Sequence, residues 1–226
     1  MPDRQVAPDL PDAPLATLVS AIPSLAGHPA TSEELGRFRK YLALLRDWNR
    51  THRITGYRTV DSMVRYLFLD SLLFASQLPK GTISVVDIGT GPGIPGVPLR
   101  IVLQDIRLTL IDSQRKQVSF LAALRRELAL DDIAIHEGRA ETLLKTHQGL
   151  RAAFDVVVMR AVGAPLLPAV VDYLRPGGIL VAGGHPMTIG RRDLTEVGGL
   201  SSPMMVSVER LGLKRTFLVW HRADRI

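Results

Sequence analysis

The stretch Ser84–Leu99, SVVDIGTGPGIPGVPL, decides how the rest of the chain is read. Val85, Val86 and Ile88 form a short apolar run around one acid, Asp87, and then the pattern breaks into a loop carrying Gly89, Gly91, Gly93 and Gly96 among Thr90, Pro92 and Pro95. The run has the composition of a buried strand, and the loop that of a tight turn into a helix. Glycine is needed where the backbone turns with positive φ or must approach a ligand without a Cβ, and a following helix aims free N–H groups at the same place. A nucleotide-like cofactor is the expected occupant.

Gly91, Gly93 and Gly96 alone satisfy the GxGxxG spacing of dinucleotide sites. A second apolar run, Arg107–Ser113 (RLTLIDS), ends in Asp112 and Ser113, with Asp112 placed 19 residues after Gly93. A strand-end carboxylate at that distance suits ribose hydroxyls. NAD and S-adenosylmethionine both carry a ribose. Asp87 ahead of the glycines and the mid-chain position of the motif favour the methyl donor, with NAD and a ligand-free Gly-rich turn as the competing readings.

The chain has 226 residues, 46% of them hydrophobic, which is enough for one sizeable core with a small appended unit. Cysteine is absent, which excludes disulfides, thiolate metal sites and a cysteine nucleophile, and is compatible with a cytoplasmic location. His28, His52, His136, His147, His185 and His221 show no paired ligand spacing, so no metal is expected. Residues 1–30 hold six prolines, lack the basic start and unbroken apolar core of a signal peptide, and read as a flexible or loosely packed arm. No stretch has the length of a membrane helix. The formal net charge is +6, and the window Arg37–Arg65 carries eight basic residues against two acids.

Residues 31–78 read as a helical cap. Thr31 and Glu34 form a capping box ahead of Leu35, Phe38, Leu42, Leu45 and Trp48, one apolar face at helical spacing whose reverse is basic. A loop is expected over Thr51–Val60 and a helix capped by Asp61 running to about Leu78. From residue 79 the chain alternates strand and helix: strands at Ile83–Ile88, Arg107–Ile111, Ile133–Glu137, Phe154–Arg160 and Gly178–Ala182, helices over Pro95–Leu103 and Ser113–Leu128, then a hairpin of Met204–Leu211 and Thr216–Trp220. Five β-α units and two closing strands predict an α/β doubly wound sheet of seven strands, mostly parallel, whose ligands lie beyond the strands' carboxyl ends. The glycines and prolines of Arg175–Pro203 suggest a mobile loop.

Candidate chemistry follows from position. The glycine loop and Asp112 would hold the cofactor, and His136–Glu141 (HEGRAE), after the third strand, is a candidate for the adenine edge. The fourth strand ends in Arg160, at a site suited either to a cleft arginine or to a surface one. No Asn/Asp-Pro-Pro-aromatic turn follows it to orient an exocyclic amine, and no cysteine is available for attack on a pyrimidine carbon. What remains is a lone pair that needs little deprotonation, such as a purine ring nitrogen, reacting through alignment.

The segments WNR and RIT (Trp48–Thr55), Met63–Leu73 with Leu69-Asp70-Ser71, VVDIGTGPGIPGVPL, LIDSQRKQVSFL, GRAE, MRA and KRTFLVW together resemble the bacterial 16S ribosomal RNA guanine 7-methyltransferases, also called glucose-inhibited division protein B. The resemblance covers about Glu33 to the C-terminus. It implies a class I S-adenosylmethionine-dependent methyltransferase, Rossmann-like in fold, over residues 79–226 with a small helical N-terminal cap, and RNA binding with a guanine of 16S rRNA in the small ribosomal subunit as acceptor. It further implies a cytoplasmic target particle rather than a membrane, with the enzyme expected as a monomer. By motif, Gly89, Ile94, Ala140, Glu141 and Arg160 would contact the cofactor, and Arg215 would be a basic residue facing the RNA at the reaction centre. Arg53, Tyr66 and Gly183 stand where the family has asparagine, histidine and lysine. A small-molecule methyltransferase and a non-catalytic RNA-binding assembly protein are the alternatives.

Overall fold

A computed structural model describes residues 12–160, 167–184, 200–202 and 204–223. His185 and most of the loop expected before Pro203 lie outside them, as do residues 1–11 of the expected arm. The strands are β1 (Ile83–Ile88), β2 (Ile106–Asp112), β3 (Ala134–Glu137), β4 (Phe154–Arg160), β5 (Leu174–Gly184), β6 (Met204–Arg210) and β7 (Leu213–His221). They form one seven-stranded sheet in the order β3-β2-β1-β4-β5-β7-β6. β1 to β5 run parallel, and β7 inserts antiparallel between β5 and β6. The order reverses between β1 and β4, the place where such sheets open a crevice for a ligand.

β1 is apolar on both sides because both sides are covered. Val85 belongs to one core layer and Val86 to the other, the two-residue period of a strand sandwiched between helices. One layer is packed by α1 (Asp12–Ala26), α2 (Ser32–His52), α5 (Gly96–Val102) and α6 (Arg115–Glu127), and the other by α7 (Ala140–Thr146) and α8 (Leu167–Val171). The hairpin turns at Leu211 and Gly212, both with positive φ (54° and 67°), a two-residue turn that matches strand twist.

The N-terminal helices correct three expectations. Residues 12–26 are not a loose arm: α1 sinks Leu15, Leu18, Ala21 and Ile22 into the core at three- and four-residue intervals, and this burial carries the helix through Pro23. α2 starts at the expected Thr31–Glu34 box, with Thr31 N–H donating to Glu34 Oε2 at 2.7 Å and Glu34 N–H to Thr31 Oγ1 at 3.2 Å, but runs on to His52. The next helical run is capped by Thr59 with Ser62, not by Asp61. It passes from α3 (Val60–Met63) through a π-helical stretch (Val64–Leu69) and α4 (Asp70–Leu72) to a 3-10 turn (Leu73–Gln77). The start of the expected mobile loop also changes character, since residues 175–184 belong to β5.

Candidate active site

The glycine loop between β1 and α5 is held from inside by two carboxylates. Asp87 is fully buried, and its Oδ2 accepts from Thr90 Oγ1 at 2.7 Å and from Gly96 N–H at 2.8 Å. Burial pushes its carboxyl up to about 7, against the lowering effect of those two bonds. Asp112 Oδ2 accepts from Gly91 N–H and Oδ1 from Gln114 N–H, both at 2.8 Å. α2 reaches over the loop as well: the buried Tyr41 hydroxyl donates to Pro92 O. Without its proton that hydroxyl would be a charge in the core, so burial raises its pKa well above the usual value.

The loop has no amide to spare for a pyrophosphate. Gly89 and Thr90 donate to Ile111 O, Gly93 and Ile94 to Thr90 O, Val97 to Gly93 O and Leu99 to Pro95 O, while Pro92, Pro95 and Pro98 have no N–H. The start of the following helix is already capped from inside, where Gly96 N–H donates to the Asp87 carboxyl. A dinucleotide needs those donors free; a cofactor with a ribose and no phosphate does not.

The glycines divide by role. At Gly91 (φ +55°) an added Cβ would meet nothing within 4 Å, so the side of the loop facing the cleft is open there. At Gly93 (φ +94°) it would come within 2.8 Å of Val97 Cγ2 and 2.9 Å of the Tyr41 hydroxyl. At Gly93 the room for a side chain is taken by the loop's own packing, and Asp87 has no exposed surface and shapes the loop from inside.

Of the other residues singled out in the sequence, Ile94 and Gly89 line a cleft of about 390 Å³ beyond the carboxyl ends of β1, β4 and β5, inside the range of about 300–1,000 Å³ usual for small-molecule sites. Ser113 is exposed just past β2. The GRAE stretch is tied to β2 by Gly138 N–H donating to Asp112 O at 3.0 Å. Ala140 is buried there, its carbonyl accepting from the Tyr173 hydroxyl at 2.9 Å, and Glu141 is exposed at the start of α7. Asp112 and GRAE thus sit together, on the β2–β3 side of the glycine loop.

Arg160 and Arg215 meet on the opposite side through a residue that sequence reasoning missed. Asp70, 1% exposed, lies between them: Arg160 Nε is 3.0 Å from Asp70 Oδ2, and Arg215 Nε donates to Asp70 Oδ1. Arg160 also donates to Tyr66 O at 2.6 Å, fixing the π-helical stretch against β4. All three charged residues line the cleft with Thr55, Tyr57, Leu67, Phe74 and the glycine loop. The signal in the sequence was the lone acid in an apolar run, Leu67-Phe68-Leu69-Asp70, since a buried charge requires partners.

The family model described as rRNA small subunit methyltransferase G matches residues 34–189. The chain belongs to this family. Among similar proteins, both named ribosomal RNA small subunit methyltransferase G, one from Caldanaerobacter subterraneus is 40% identical over 161 residues, 71% of this chain and 65% of that protein. One from Deinococcus deserti is 36% identical over 195 residues, 82% of this chain and 79% of that protein. Among solved structures, a SAM-dependent methyltransferase from Aquifex aeolicus superposes with a TM-score of 0.54 at 14% identity, covering 72% of this chain and 93% of that one. The [4+2]-cyclase SpnF superposes with 0.58 at 16% identity, covering 86% and 97%. At such identities the likeness concerns the fold alone, and the cyclase shows that this fold hosts other chemistry.

Arg53, Tyr66 and Gly183, the three positions expected to depart from the family pattern, have distinct settings. Gly183 pairs with Arg160 across β4 and β5, and a Cβ there would run into the Phe74 ring, so glycine is required by packing. Tyr66 is 38% exposed and stacks on Tyr57 with centroids 5.4 Å apart. Arg53 ends α2 in the left-handed conformation. The apolar face of α2 packs inward as expected, with Phe38, Leu42 and Leu45 fully buried, but the basic window does not present itself as one face. Arg37 pairs with Glu33 at 2.8 Å and Arg65 donates to Gly212 O at 2.8 Å, whereas Arg46, Arg50, Arg53 and Arg58 line a concavity beside the cleft. Among the described residues no helix is long and apolar enough to cross a membrane, and no group of three metal-ligating side chains occurs.

Proposed function

We propose that this protein transfers the methyl group of S-adenosylmethionine to ring nitrogen 7 of a guanine in 16S rRNA of the small ribosomal subunit. The observation that carries the reading is the cleft itself: a glycine loop with every amide spoken for on one side, and Asp70 bracketed by Arg160 and Arg215 on the other. Membership of a family whose curated members are named for rRNA methylation supports the substrate.

The residues fit the donor. Gly89 lines the cleft and Gly91 leaves open space along the loop, and Asp112, although it already accepts two N–H bonds, keeps lone pairs on both oxygens for ribose hydroxyls. Ile94 supplies an apolar wall, and the GRAE stretch beside Asp112 is suited to the adenine. Bound there, S-adenosylmethionine supplies an electrophilic methyl group on a cationic sulfur.

The protein's part is alignment and charge. Among the described residues, Asp70 is the one carboxylate lining the cleft, and both its oxygens are engaged by arginines, so no carboxylate stands free beside the acceptor. An acceptor that must lose a proton before attack is therefore disfavoured, and guanine N7 attacks with a free lone pair. Nε of Arg160 and Nε of Arg215 are taken by Asp70, which leaves the Arg215 terminal amines to donate to guanine O6, the acceptor adjacent to N7. Positive charge arrives on the base as the methyl moves, and the Asp70 carboxylate offsets it against the two guanidinium groups.

The test is methyl transfer from labelled S-adenosylmethionine to 30S subunits lacking the modification, followed by nuclease digestion and mass spectrometry. One 7-methylguanine per particle is expected. Label confined to small molecules, or methyl on another atom, would overturn the reading.

A further inference from the structure

We infer that the concavity lined by Arg46, Arg50, Arg53 and Arg58 is a docking site for backbone phosphates of the RNA strand next to the target guanine, an inference that rests on the rRNA reading above. It encloses about 700 Å³ between the last turns of α2 and the loop that follows. Thr55 lines both this concavity and the methyl-transfer cleft, so a strand lying in one can deliver a nucleotide into the other.

Charge is what distinguishes the site. Among the described residues, none of these four guanidinium groups makes an ion pair or a side-chain hydrogen bond, and Asp47 is the one acid on the wall. Other surface arginines are neutralised one by one, as in Arg37–Glu33, Arg100–Asp132 and Arg151–Asp172, whereas these four converge on one concavity. Four unpaired cations facing one concavity repel each other, and a polyanion relieves that repulsion while releasing its counterions.

The walls are also built to stay in place. Asn49 accepts from Thr55 N–H and donates to Tyr57 O, both at 2.9 Å. Gln117 donates to Ile54 O at 3.1 Å and Lys116 to Arg53 O at 3.4 Å. These bonds hold Arg53 in its left-handed conformation (φ 49°), which non-glycine residues rarely adopt unless their surroundings impose it, and which tends to accumulate at functional sites. Ala43, Ile54 and Met63 give the floor an apolar character against which a ribose can lie.

The experiment compares wild type, the quadruple variant Arg46→Gln/Arg50→Gln/Arg53→Gln/Arg58→Gln, the milder Arg50→Gln/Arg58→Gln, and a control, Arg37→Gln/Lys40→Gln, outside the concavity. Binding of 30S subunits and of a 16S rRNA fragment is measured across a salt series, and S-adenosylhomocysteine binding by calorimetry. The quadruple variant should bind RNA at least tenfold more weakly at low salt, with the slope of log K against log salt reduced by about 3, roughly 0.7 per lost phosphate contact. The double variant should lose about half of that slope change, and cofactor affinity should stay within twofold. An unchanged salt slope in both variants, with wild type still methylating RNA, would overturn the docking site and leave the enzyme reading intact. Wild type that neither binds nor methylates RNA would overturn both. If the double variant weakened sedimentation with anionic vesicles while RNA binding held, the site would be a membrane contact instead.

Discussion

The two sides of the cleft are built on opposite plans. On the glycine-loop side the polar groups mostly serve the loop itself: Asp87 and Asp112 accept from backbone amides, Tyr41 donates to Pro92 O, and the cleft is lined by backbone with Thr90, Pro92 and Ile94. On the cap side the polar groups are side chains, and several are left over: the Arg215 terminal amines, and the four arginines beyond Thr55. The first plan makes a rigid mould for a cofactor of one shape. The second makes a cationic surface for a polymer whose charge repeats and whose grip depends on salt.

The largest effect expected from breaking the first plan is at Gly93. Gly93→Val forces a Cβ against Val97 and Tyr41 at positive φ, a combination that costs about 2–4 kcal/mol from overpacking and backbone strain. Cofactor binding and melting temperature should fall together. Gly91→Val sharpens the contrast, because its Cβ meets no protein atom within 4 Å. Calorimetry should show cofactor binding lost there as well, while thermal melting registers only the left-handed strain of about 1 kcal/mol.

Next in size is the charged cluster. Asp70→Asn leaves Arg160 and Arg215 facing each other without the carboxylate between them, and removing one partner of a largely buried ion pair, here partly screened, costs about 2 kcal/mol. Single-turnover methyl transfer should drop by more than cofactor affinity. Arg160→Ala should do the same with a smaller loss of stability, and a double-mutant cycle between the two should be strongly non-additive. Additive losses would detach Arg160 from Asp70.

Two pH effects are smaller. Burial raises the Asp87 carboxyl to about 7 in the folded protein. Since its folded pKa lies above its unfolded one, its charge opposes folding fully above pH 7 and not at all below the ordinary carboxylate range. Denaturation of wild type and Asp87→Asn in parallel should show wild type losing ground to the variant as pH rises from about 4 to 7, and holding level beyond. His28 acts in the same direction at higher pH. Both its ring nitrogens face carbonyls, Pro29 O at 3.0 Å and Val102 O at 2.8 Å, an arrangement only the imidazolium satisfies in full, and these bonds raise its pKa. Its contribution is full below about pH 6.5 and lost as pH rises through the raised folded value, so His28→Ala should flatten the stability profile near neutrality.

The glycine-loop side was largely legible in the sequence, because a buried strand, positive-φ glycines and a strand-end acid leave local marks. The sheet was legible for the same reason, down to the closing hairpin. α1 was hidden because Pro23 interrupts its pattern, and only the surface supplied by α2 and the 60–77 run makes the helix worthwhile. Asp70 was hidden because its two partners sit on β4 and β7, far away in the chain. At Asp87 and Gly93 the sequence marks a tight loop, and the structure adds how much of that tightness is the loop's own packing. The basic window was visible as charge, but Arg37 and Arg50 read alike until Glu33 is seen to neutralise one and the other is seen to line the concavity beside the cleft.

Amide hydrogen exchange with each ligand in turn tests the division between the two sides most directly. S-adenosylhomocysteine should slow exchange across residues 138–141 and leave 53–58 unchanged, and a 16S rRNA fragment should slow exchange across 53–58 while leaving 138–141 as in the free protein. Protection of residues 138–141 by RNA alone, or of residues 53–58 by the cofactor alone, would contradict the assignment of one side to the cofactor and the other to the RNA.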